Sequence, residues 1–558
     1  MYLSHLCTSS ASWGVRTVQY TPGRSREWLC EMAQSTTTPR SSVTLSLEGQ
    51  QSNKALPPST QIPGDNMGRT KEEPSNGTND CVTWNGPKDP ENPFNWALLK
   101  KWRVTILACF MTFVVQINGT MMTSAAEQIN HSFHVSDQDF PHSYWPVLSW
   151  NLGGAAAPLL GLPLMENFGV RWSYMVIYAV LILFIIPQAL ADNFATLVVT
   201  RIITGSCSGV LANITSGIVS DIWLGGRAKS FGTSLYIWCL LAGLSMGPVF
   251  GSLVVQYTTT WRWVFISQII FYVALIPILL PSLPEVRPDV ILTRRARKLR
   301  KLQDPNAPRV YAEAEKQHLR LRDILRETLI RPSHMLCTEG VVLAFGLWSA
   351  FCIGIAFMFT QSIVQVYSAL YSWDFFATGL VQAAIVIGEV IGLVASLCQD
   401  HLYFASAKRN TEMPGRPIPE ARLYLSIPAS FIGLAGGFFY FAWTSYTDIP
   451  WIVPSIALAF VGFGMFTCTA AVTTYVLDAY AKYAASAIAG IAFLENLMAA
   501  LLPLATQSMY RSLGFQWASS LLGFVALGLS CIPLVLLRYG RVIRGKSSFM
   551  REAAYEVE

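Results

Sequence analysis

The most prominent feature of the chain is a series of twelve apolar runs, each about as long as a bilayer-crossing helix of roughly 20 residues. The first six occupy 103–124, 143–164, 173–191, 195–220, 230–254 and 263–283. The second six occupy 336–366, 376–398, 423–444, 451–476, 483–506 and 515–537. Six runs, a long polar connector and six more runs are typical of two bundles related by an axis along the membrane normal. We therefore predict an all-α membrane protein with twelve transmembrane helices in two six-helix bundles.

Polar segments divide the chain into five parts. Residues 1–95 are rich in Ser, Thr, Pro, Gly and Gln and hold no run of span length, which predicts a disordered amino-terminal tail. The tail lacks a charged start followed by a hydrophobic core, so we expect no cleaved signal peptide, and both Met1 and Met67 remain candidate starts. The parts that follow are a first bundle at 96–283, a basic connector at 284–335, a second bundle at 336–538 and a carboxy-terminal tail at 539–558.

Charge is scarce and concentrated in the connector. Charged residues make up 13% of the chain, about half the ~25% usual for soluble proteins. The net charge is +6, and the stretch from Glu285 to Arg331 alone holds 13 Lys/Arg against 7 Asp/Glu. A basic segment between spans reports orientation, so we expect no nucleic-acid partner and predict cytoplasmic termini and a cytoplasmic connector. The expected surroundings are a lipid bilayer, and we expect a monomer.

Residue types that would indicate other chemistry are sparse. The 11 cysteines form no CxxC pair, all seven histidines lie outside span interiors, and no Gly-rich phosphate loop is present. We therefore expect no disulfide framework, no metal site, no cofactor and no enzymatic activity, which leaves an ion gradient as the energy source. Asn130 is the one N-x-Ser/Thr sequon predicted in an outward loop and is a candidate glycosylation site.

Small residues recur along the fifth run. Gly243, Gly247 and Gly251 are spaced four apart, so they share one helix face on which another backbone can approach closely. Pro248 removes a backbone donor there, which a membrane helix tolerates when neighbours satisfy the freed carbonyl. Ordinary helix packing explains such a stripe equally well. The full pattern GxxxGPxxGS, however, resembles the antiporter motif of drug:proton antiporters of the major facilitator superfamily.

Other segments carry the same resemblance across the chain. Asp89-Pro-Glu-Asn-Pro-Phe-Asn-Trp96, Pro419-Glu-Ala-Arg-Leu423 and Tyr539-Gly-x-x-Ile-Arg544 are similar to the polyamine/cycloheximide-resistance branch of the fungal twelve-span members. The resemblance implies a proton-driven exporter of a small organic molecule, with the plasma membrane as the default location. Because members of that branch confer drug resistance or export self-made compounds, we expect a secondary metabolite, toxin or drug as the substrate and favour a secondary metabolite or toxin.

The loop after the second run reads Pro163-Leu-Met-Glu166-Asn167-Phe-Gly169-Val-Arg171 and resembles part of the superfamily's loop motif. In the family an acid here pairs with arginines and with an acid at the foot of span four, which latches the cytoplasmic gate. The resemblance implies that Arg171 bridges Glu166 and Asp221, with Arg227 as a spare partner. The motif's opening Gly and first Arg are missing, and exposed loop charges remain the alternative.

Charged residues inside the runs are the candidates for proton coupling. Arg201 opens an R-x-x-x-G-x-x-x-G pattern that resembles a family motif and lies roughly 9 Å into span four, where an arginine should face water or a partner or reach the headgroups. Glu389 is the deepest acid, and burial penalises the charged form of a carboxyl, which suits a proton carrier. Glu495 is the second candidate. A structural hydrogen bond is the alternative for either acid, and Glu127 and Glu339 are expected at the interface.

Polar and aromatic residues inside the runs are the natural lining of a substrate cavity, although each could instead form an inter-helix hydrogen bond. The candidates are Gln116, Asn118, Asn213, Tyr236, Trp238, Trp348, Gln361, Gln365, Gln382 and Asn496. We therefore predict a proton-coupled efflux transporter. The alternatives are a proton-coupled importer of a nutrient or polyamine and a membrane receptor that transports nothing.

Overall fold

The computed structural model describes residues 81–135, 142–156, 169–302, 310–316, 326–411 and 413–555. The regular structure of these residues is helical, apart from one isolated bridge between Cys81 and Tyr311. Nine helical stretches of the described chain are long and apolar enough to cross a membrane. They are Leu98–Phe133, Val170–Ala189, Phe194–Ile222, Gly226–Tyr257, Arg262–Ser282, Gly340–Tyr371, Phe375–Arg409, Pro419–Thr444 and Ile452–Lys546.

These stretches account for eleven of the twelve predicted spans, and a shorter helix supplies the other. The last stretch contains Ile452–Tyr480 and then a helix that breaks at Gly514, whose positive φ of 77° favours glycine, so it supplies spans 10, 11 (484–513) and 12 (515–546). Span 2 is Trp145–Ala156, and its continuation lies outside the described residues. We number the other stretches 1 and 3 to 9 in chain order. The predicted fold class is confirmed.

Local sequence explains where several spans begin and end. Asn193 accepts a hydrogen bond from the Thr196 amide at 2.7 Å and caps span 4. Asp374 accepts from the Ala377 amide at 3.0 Å and caps the start of span 8. Each side chain satisfies an amide that has no partner within its helix, a group that is costly to leave bare in a membrane.

Buried apolar side chains form one large cluster in each half of the chain. The first cluster is built almost entirely from spans 1 to 6, and the second is built from spans 7 to 12 and the segments beside them. The two halves contact each other mainly where span 5 packs on span 8 and span 2 packs on span 11. We call the membrane side that carries the connector the connector face, and the other side the opposite face.

The predicted disorder of 1–95 is wrong for its last part, while 1–80 lie outside the described residues. Residues 81–95 pack against the connector, which contains the helix Pro288–Leu302. The Val82 amide donates to the Tyr311 carbonyl at 2.9 Å, and Val82 joins a small apolar cluster with connector residues. The buried carboxylate of Asp89 accepts from Arg295 at 2.6 Å. These contacts fix the segment that enters span 1.

Asn130 also differs from its prediction. It lies in the helical segment Ala126–Phe133 that continues span 1, and its side chain is half-buried. A helix therefore stands where an outward loop was expected around this sequon. In a helix, the asparagine is less accessible to glycosylation than in a loop.

Candidate functional site

A central cavity of about 120 Å³ lies between the two bundles. Spans 1, 2, 4, 5, 7, 10 and 11 supply its described wall, which mixes amide, hydroxyl and aromatic side chains. The polar and aromatic wall residues are Gln116, Trp150, Asn151, Asn213, Ser216, Tyr236, Phe357, Thr469, Thr473, Glu495 and Asn496. Five of the residues singled out in the sequence are therefore on this wall: Gln116, Asn213, Tyr236, Glu495 and Asn496.

Glu495 is the one carboxylate on the described wall of the cavity. It lies on span 11, and its Oε1 accepts a hydrogen bond from the Ser349 hydroxyl of span 7. This hydrogen bond fixes one carboxyl oxygen. The side chain is only partly buried, so the carboxyl group can meet whatever occupies the cavity.

Four predicted lining residues lie elsewhere. Asn118, Trp348 and Gln382 are fully buried among helices, and Trp238 packs half-buried against the first core cluster. The Trp238 and Trp348 indole nitrogens and the Gln382 amide nitrogen have no hydrogen-bond partner among the described residues. A polar side chain within an apolar run thus indicates burial as readily as exposure to a cavity.

Gln361 and Gln365 line a different pocket, of about 250 Å³, near the opposite face. Ser143, Gln507 and Arg511 share this pocket. The two glutamines do lie on one helix face, as their spacing predicts, but that face meets the opposite end of the molecule rather than the central cavity.

Arg201 is fully buried and joins spans 1, 2 and 4. Its guanidinium donates to the backbone carbonyls of Asn118 at 2.7 Å, Gly119 at 2.7 Å and Pro146 at 3.2 Å. No acid among the described residues pairs with it, so carbonyl dipoles stabilise the charge. Arg201 therefore faces neither lipid nor the cavity.

The hydrogen bonds around Arg201 extend to the cavity wall through Trp150. The Trp150 indole donates to Asn118 Oδ1 at 3.0 Å, and Asn118 donates to Gln268 Oε1 of span 6 at 2.6 Å. The Arg201 guanidinium lies 5.9 Å from the Trp150 ring centre. Arg201 and Asn118 are thus positioning residues behind a wall residue.

The glycine stripe of span 5 packs against span 1. A Cβ added at Gly243 would lie 2.8 Å from Gln116 Cβ, and one at Gly247 would lie 2.9 Å from the Met121 amide nitrogen. At Gly251 the added atom would lie 2.6 Å from the Ser124 hydroxyl. All three positions therefore need glycine because a neighbouring helix lies too close for a side chain.

Span 1 also satisfies the backbone that Pro248 leaves unpaired. Because Pro248 has no N–H, the Leu244 carbonyl one turn earlier loses its helical partner. The Thr120 hydroxyl donates to that carbonyl at 2.7 Å, and the Ser124 hydroxyl donates to the Pro248 carbonyl at 2.9 Å. The expectation that neighbours satisfy the freed carbonyl is confirmed.

Glu389 lies between the bundles, outside the described wall of the central cavity. It is fully buried on span 8, and its Oε1 accepts a hydrogen bond from the Ser245 hydroxyl at 2.9 Å. Its Oε2 has no hydrogen-bond partner among the described residues. Ser245 stands between Gly243 and Gly247, so the deepest acid of the chain contacts the span that carries the glycine stripe.

At the connector face, the partners of Arg171 and Asp221 differ from those expected for the loop motif. Arg171 donates to the Leu280 carbonyl at 3.0 Å, while Asp221 pairs with Arg287 at 3.8 Å. The expected Arg171–Asp221 bridge is therefore wrong, and Arg227 is exposed without an ion pair among the described residues. Glu166 lies outside the described residues.

Glu285 organises this loop. It follows span 6 and accepts hydrogen bonds from the Val170 amide at 3.0 Å and the Arg171 amide at 3.4 Å, which caps span 3. Gly169 has a φ of +86°, and a Cβ there would collide with the Glu285 carboxylate. Sequence reasoning missed Glu285 and Arg287, although their position directly after an apolar run was a usable signal.

A second ionic cluster at the connector face joins the bundles. Arg422 of span 9 donates to Asp478 at 2.8 Å, to Asp400 at 3.0 Å and to the Ser230 hydroxyl of span 5 at 2.7 Å. Ser230 in turn donates to Asp400. Arg422 is buried and stacks on Tyr403. We call these four residues, Ser230, Asp400, Arg422 and Asp478, the connector-face latch. In the sequence, Arg422 stood out only as part of the Pro419–Leu423 segment that carries the family resemblance.

Within the described residues, no group of three or more His, Cys, Asp or Glu side chains could hold a metal ion.

Comparison with known proteins gives consistent relatives. The family model of the Major Facilitator Superfamily matches residues 108–503. The chain is 32% identical over 480 residues to the MFS transporter cpaT of Aspergillus oryzae, which covers 86% of this chain and 94% of that protein. It is 30% identical over 473 residues to the efflux pump radE of Floropilus chiversii, covering 84% and 85% of the two chains.

A third relative is the citrinin biosynthesis cluster MFS transporter mrr1 of Monascus ruber. It is 28% identical over 506 residues, covering 88% of this chain and 98% of that protein. Among solved structures, the xylose transporter XylE from E. coli aligns with a TM-score of 0.53 at 17% identity, over 79% of this chain and 98% of that chain. The last similarity shows the fold alone.

Proposed function

Because the chain belongs to the major facilitator superfamily, and is therefore a multi-pass membrane transporter of small molecules rather than an enzyme, we propose that it is a proton-coupled antiporter that exports a secondary metabolite or toxin. The proposed cycle alternates the central cavity between the two membrane faces as the bundles rock. A proton gradient drives the cycle, with no bound cofactor.

The observation that carries this proposal is the position of Glu495 on the cavity wall. A carboxyl group that shares a chamber with the substrate can bind either a proton or the substrate's polar groups. Substrate arriving from the connector face would displace the proton, and a proton arriving from the opposite face would displace the substrate. This competition couples the two fluxes at one carboxyl group.

Glu389 provides a second proton position in the proposal. A neutral carboxyl can remain buried between spans 5 and 8 with one hydroxyl partner, whereas a carboxylate there costs far more free energy unless water reaches it. Loss of the proton therefore favours separation of the two spans at this point. Glu389 would thus link protonation to bundle movement, and Glu495 would link protonation to substrate binding.

The substrate class follows from the wall chemistry and the names of the relatives. The amides of Gln116, Asn213 and Asn496 and the hydroxyl of Tyr236 suit an organic molecule with several hydrogen-bonding groups. Trp150 and Phe357 provide flat apolar surface for rings. One relative is named for a citrinin biosynthesis cluster and another as an efflux pump, which favours a fungal secondary metabolite.

We place the connector face in the cytosol because it carries most of the loop cations, in accord with the positive-inside rule. Export from the cytosol across the plasma membrane then runs towards the opposite face, with both termini cytoplasmic. A single chain supplies both bundles, so a monomer suffices for transport.

Transport direction can be measured in proteoliposomes sorted so that the connector face points outward. Citrinin and a panel of fungal secondary metabolites serve as substrates, and a lumenal pH dye reports proton movement. Antiport predicts uptake of a substrate when the lumen is acidic, together with a rise in lumenal pH. Uptake driven only by an alkaline lumen would indicate an importer, and no movement of any substrate would indicate a receptor.

A further inference from the structure

The pocket of about 250 Å³ near the opposite face lies between the two bundles. Spans 1 and 2, with the two residues before span 2, supply one wall, and spans 7, 8 and 11 supply the other. We call this pocket the vestibule. It lies on the side towards which the proposed export runs, and no step of the proposed cycle uses it.

An aromatic pair separates the vestibule from the central cavity. Trp150 of span 2 and Phe357 of span 7 both line the central cavity, and their ring centres are 6.0 Å apart. Val147 and Thr360, about one helical turn from these two residues, line the vestibule instead. The pair therefore stands between the two compartments. Because each bundle supplies one ring, movement of the bundles can part the pair.

The wall of the vestibule is rich in N–H donors. Gln361 and Gln365 of span 7 and Gln507 of span 11 are half-buried there, and Arg511 of span 11 is exposed. None of these four side chains has a hydrogen-bond or ion-pair partner among the described residues. Each is therefore able to donate to a ligand in the pocket.

The charge of the vestibule is positive. No Asp or Glu is among the described residues that line it. Arg262, another arginine at the opposite face, differs from Arg511 because it pairs with Asp192 at 3.6 Å. A guanidinium binds a planar carboxylate through two parallel hydrogen bonds, and amide N–H groups can satisfy its remaining lone pairs. The vestibule therefore has the chemistry of an anion site, whereas the central cavity carries the carboxyl group of Glu495.

We propose that the vestibule is an exit subsite for an organic carboxylate. The carboxylate binds Arg511 and the amides of Gln361 and Gln365, and the apolar body of the molecule lies against Val364. The assignment as an exit rests on the proposed export function. A substrate that carries a carboxylate enters the vestibule when Trp150 parts from Phe357, and Arg511 holds the anion until release.

Isothermal titration calorimetry of the purified full-length protein tests the proposal. The probes are 2,4-dihydroxybenzoate and its methyl ester, which differ in charge but share the same ring. We expect the carboxylate to bind about tenfold more tightly than the ester, the effect of one charge-assisted hydrogen bond. Equal binding of the two probes, or tighter binding of the ester, would overturn the proposal.

Arg511→Gln should abolish this preference by weakening the carboxylate alone. Because Arg511 is exposed and unpaired among the described residues, the variant should fold as wild type. Arg262→Gln removes a cation from the same face and is the control that should keep the preference. An unchanged preference in Arg511→Gln, or an equal loss in both variants, would contradict a carboxylate site at Arg511.

A second pair of variants locates the bound probe. Val364→Trp fills the vestibule and should prevent carboxylate binding, whereas Val176→Trp, at an exposed position of span 3, should not. Wild-type affinity in Val364→Trp would place the probe elsewhere and overturn the assignment. Should Val364→Trp fail to fold, the two arginine variants still decide the question. The titration needs no pH gradient, so failure of this subsite and failure of the proposed antiport give separate results.

Discussion

The Ser245 hydroxyl of span 5 donates a hydrogen bond to the Glu389 carboxyl of span 8 at 2.9 Å, and it joins the two bundles at a fully buried point. Ser245 lies within the glycine stripe that packs span 5 on span 1. Any rocking of the bundles that parts spans 5 and 8 must break this hydrogen bond. The proposed antiport cycle thus has a defined contact at which protonation and movement meet.

Replacing Glu389 by Gln should keep the contact with Ser245 and remove the titration. We expect substrate counterflow at equal pH to continue, while accumulation driven by a pH gradient falls about tenfold or more, because a permanently neutral side chain cannot release a proton. The measurement is uptake into proteoliposomes with and without the gradient.

The control for this experiment is Ser252→Ala, which removes a hydroxyl from span 5, the helix that carries Ser245. Among the described residues this hydroxyl donates only to the Val249 carbonyl. The variant should transport as wild type. Full gradient-driven accumulation in Glu389→Gln would show that this acid is structural.

The glycine stripe should tolerate no side chain. Gly247→Ala places a Cβ 2.9 Å from the Met121 amide nitrogen and closer still to the Thr120 hydroxyl. Overpacking of this kind typically destabilises by about 1–3 kcal/mol, and here it also disturbs the hydrogen bond that satisfies the Leu244 carbonyl. The thermal unfolding midpoint of the purified protein should fall.

Gly528→Ala serves as the comparison, because a Cβ at that position in span 12 has no atom within 4 Å. Its midpoint should stay near the wild-type value. Equal stability of Gly247→Ala and Gly528→Ala would refute the close packing of spans 1 and 5.

The connector-face latch should hold the bundles together at that face. Arg422→Ala leaves Asp400 and Asp478 without their cation, and breaking a buried ionic network costs about 3–5 kcal/mol. We expect the connector-face ends of spans 5 and 8 to separate. Spin labels at the exposed positions Leu224 and Arg409 would report a longer mean distance.

Arg227→Ala removes an exposed arginine from the same face and should leave the distance distribution unchanged. An identical distribution in Arg422→Ala would mean that the latch does not control opening at this face.

Acid should release the segment that leads into span 1. Hydrogen bonding to Arg295, with help from the Asn85 and Glu91 amides, lowers the pKa of Asp89 from 3.8 to about 2. Because the pKa is lower in the folded protein, the stabilisation is complete above about pH 4 and is lost as the pH falls towards 2. Hydrogen exchange of residues 81–97 should accelerate over this interval.

Asp89→Asn should show fast exchange of the same segment already at neutral pH, with no further acid transition. Residues 81–97 could instead stay protected from hydrogen exchange at pH 2, or Asp89→Asn could show wild-type protection. Either result would show that the Asp89–Arg295 pair does not hold this segment in place.

The spans and the membrane fold could be predicted because their signal is local. Each apolar run carries its own length and composition, and Pro248 indicates a carbonyl that needs a neighbour's donor. The residues that line the cavity are harder to predict, because neighbouring positions on a helix point in different directions. Gln116 reaches the cavity, whereas Asn118, two residues later, turns into the network around Arg201.

Long-range pairings could not be read from the sequence. Asp221 pairs with Arg287 and Val170 is capped by Glu285, and both contacts join segments that are far apart in the chain and meet only when spans 3, 4 and 6 assemble. Arg201 is stabilised by backbone carbonyls, which every residue carries and which no motif identifies.

The most direct test of the central claim is a paired transport measurement on Glu495→Gln in proteoliposomes. The account predicts that counterflow of substrate at equal pH is retained, because the amide can still accept from Ser349 and face the substrate. It also predicts that a pH gradient no longer drives accumulation and that substrate movement no longer changes the lumenal pH. Wild-type, gradient-driven accumulation with proton movement in Glu495→Gln would contradict the proposal that this cavity carboxyl couples the proton to the substrate.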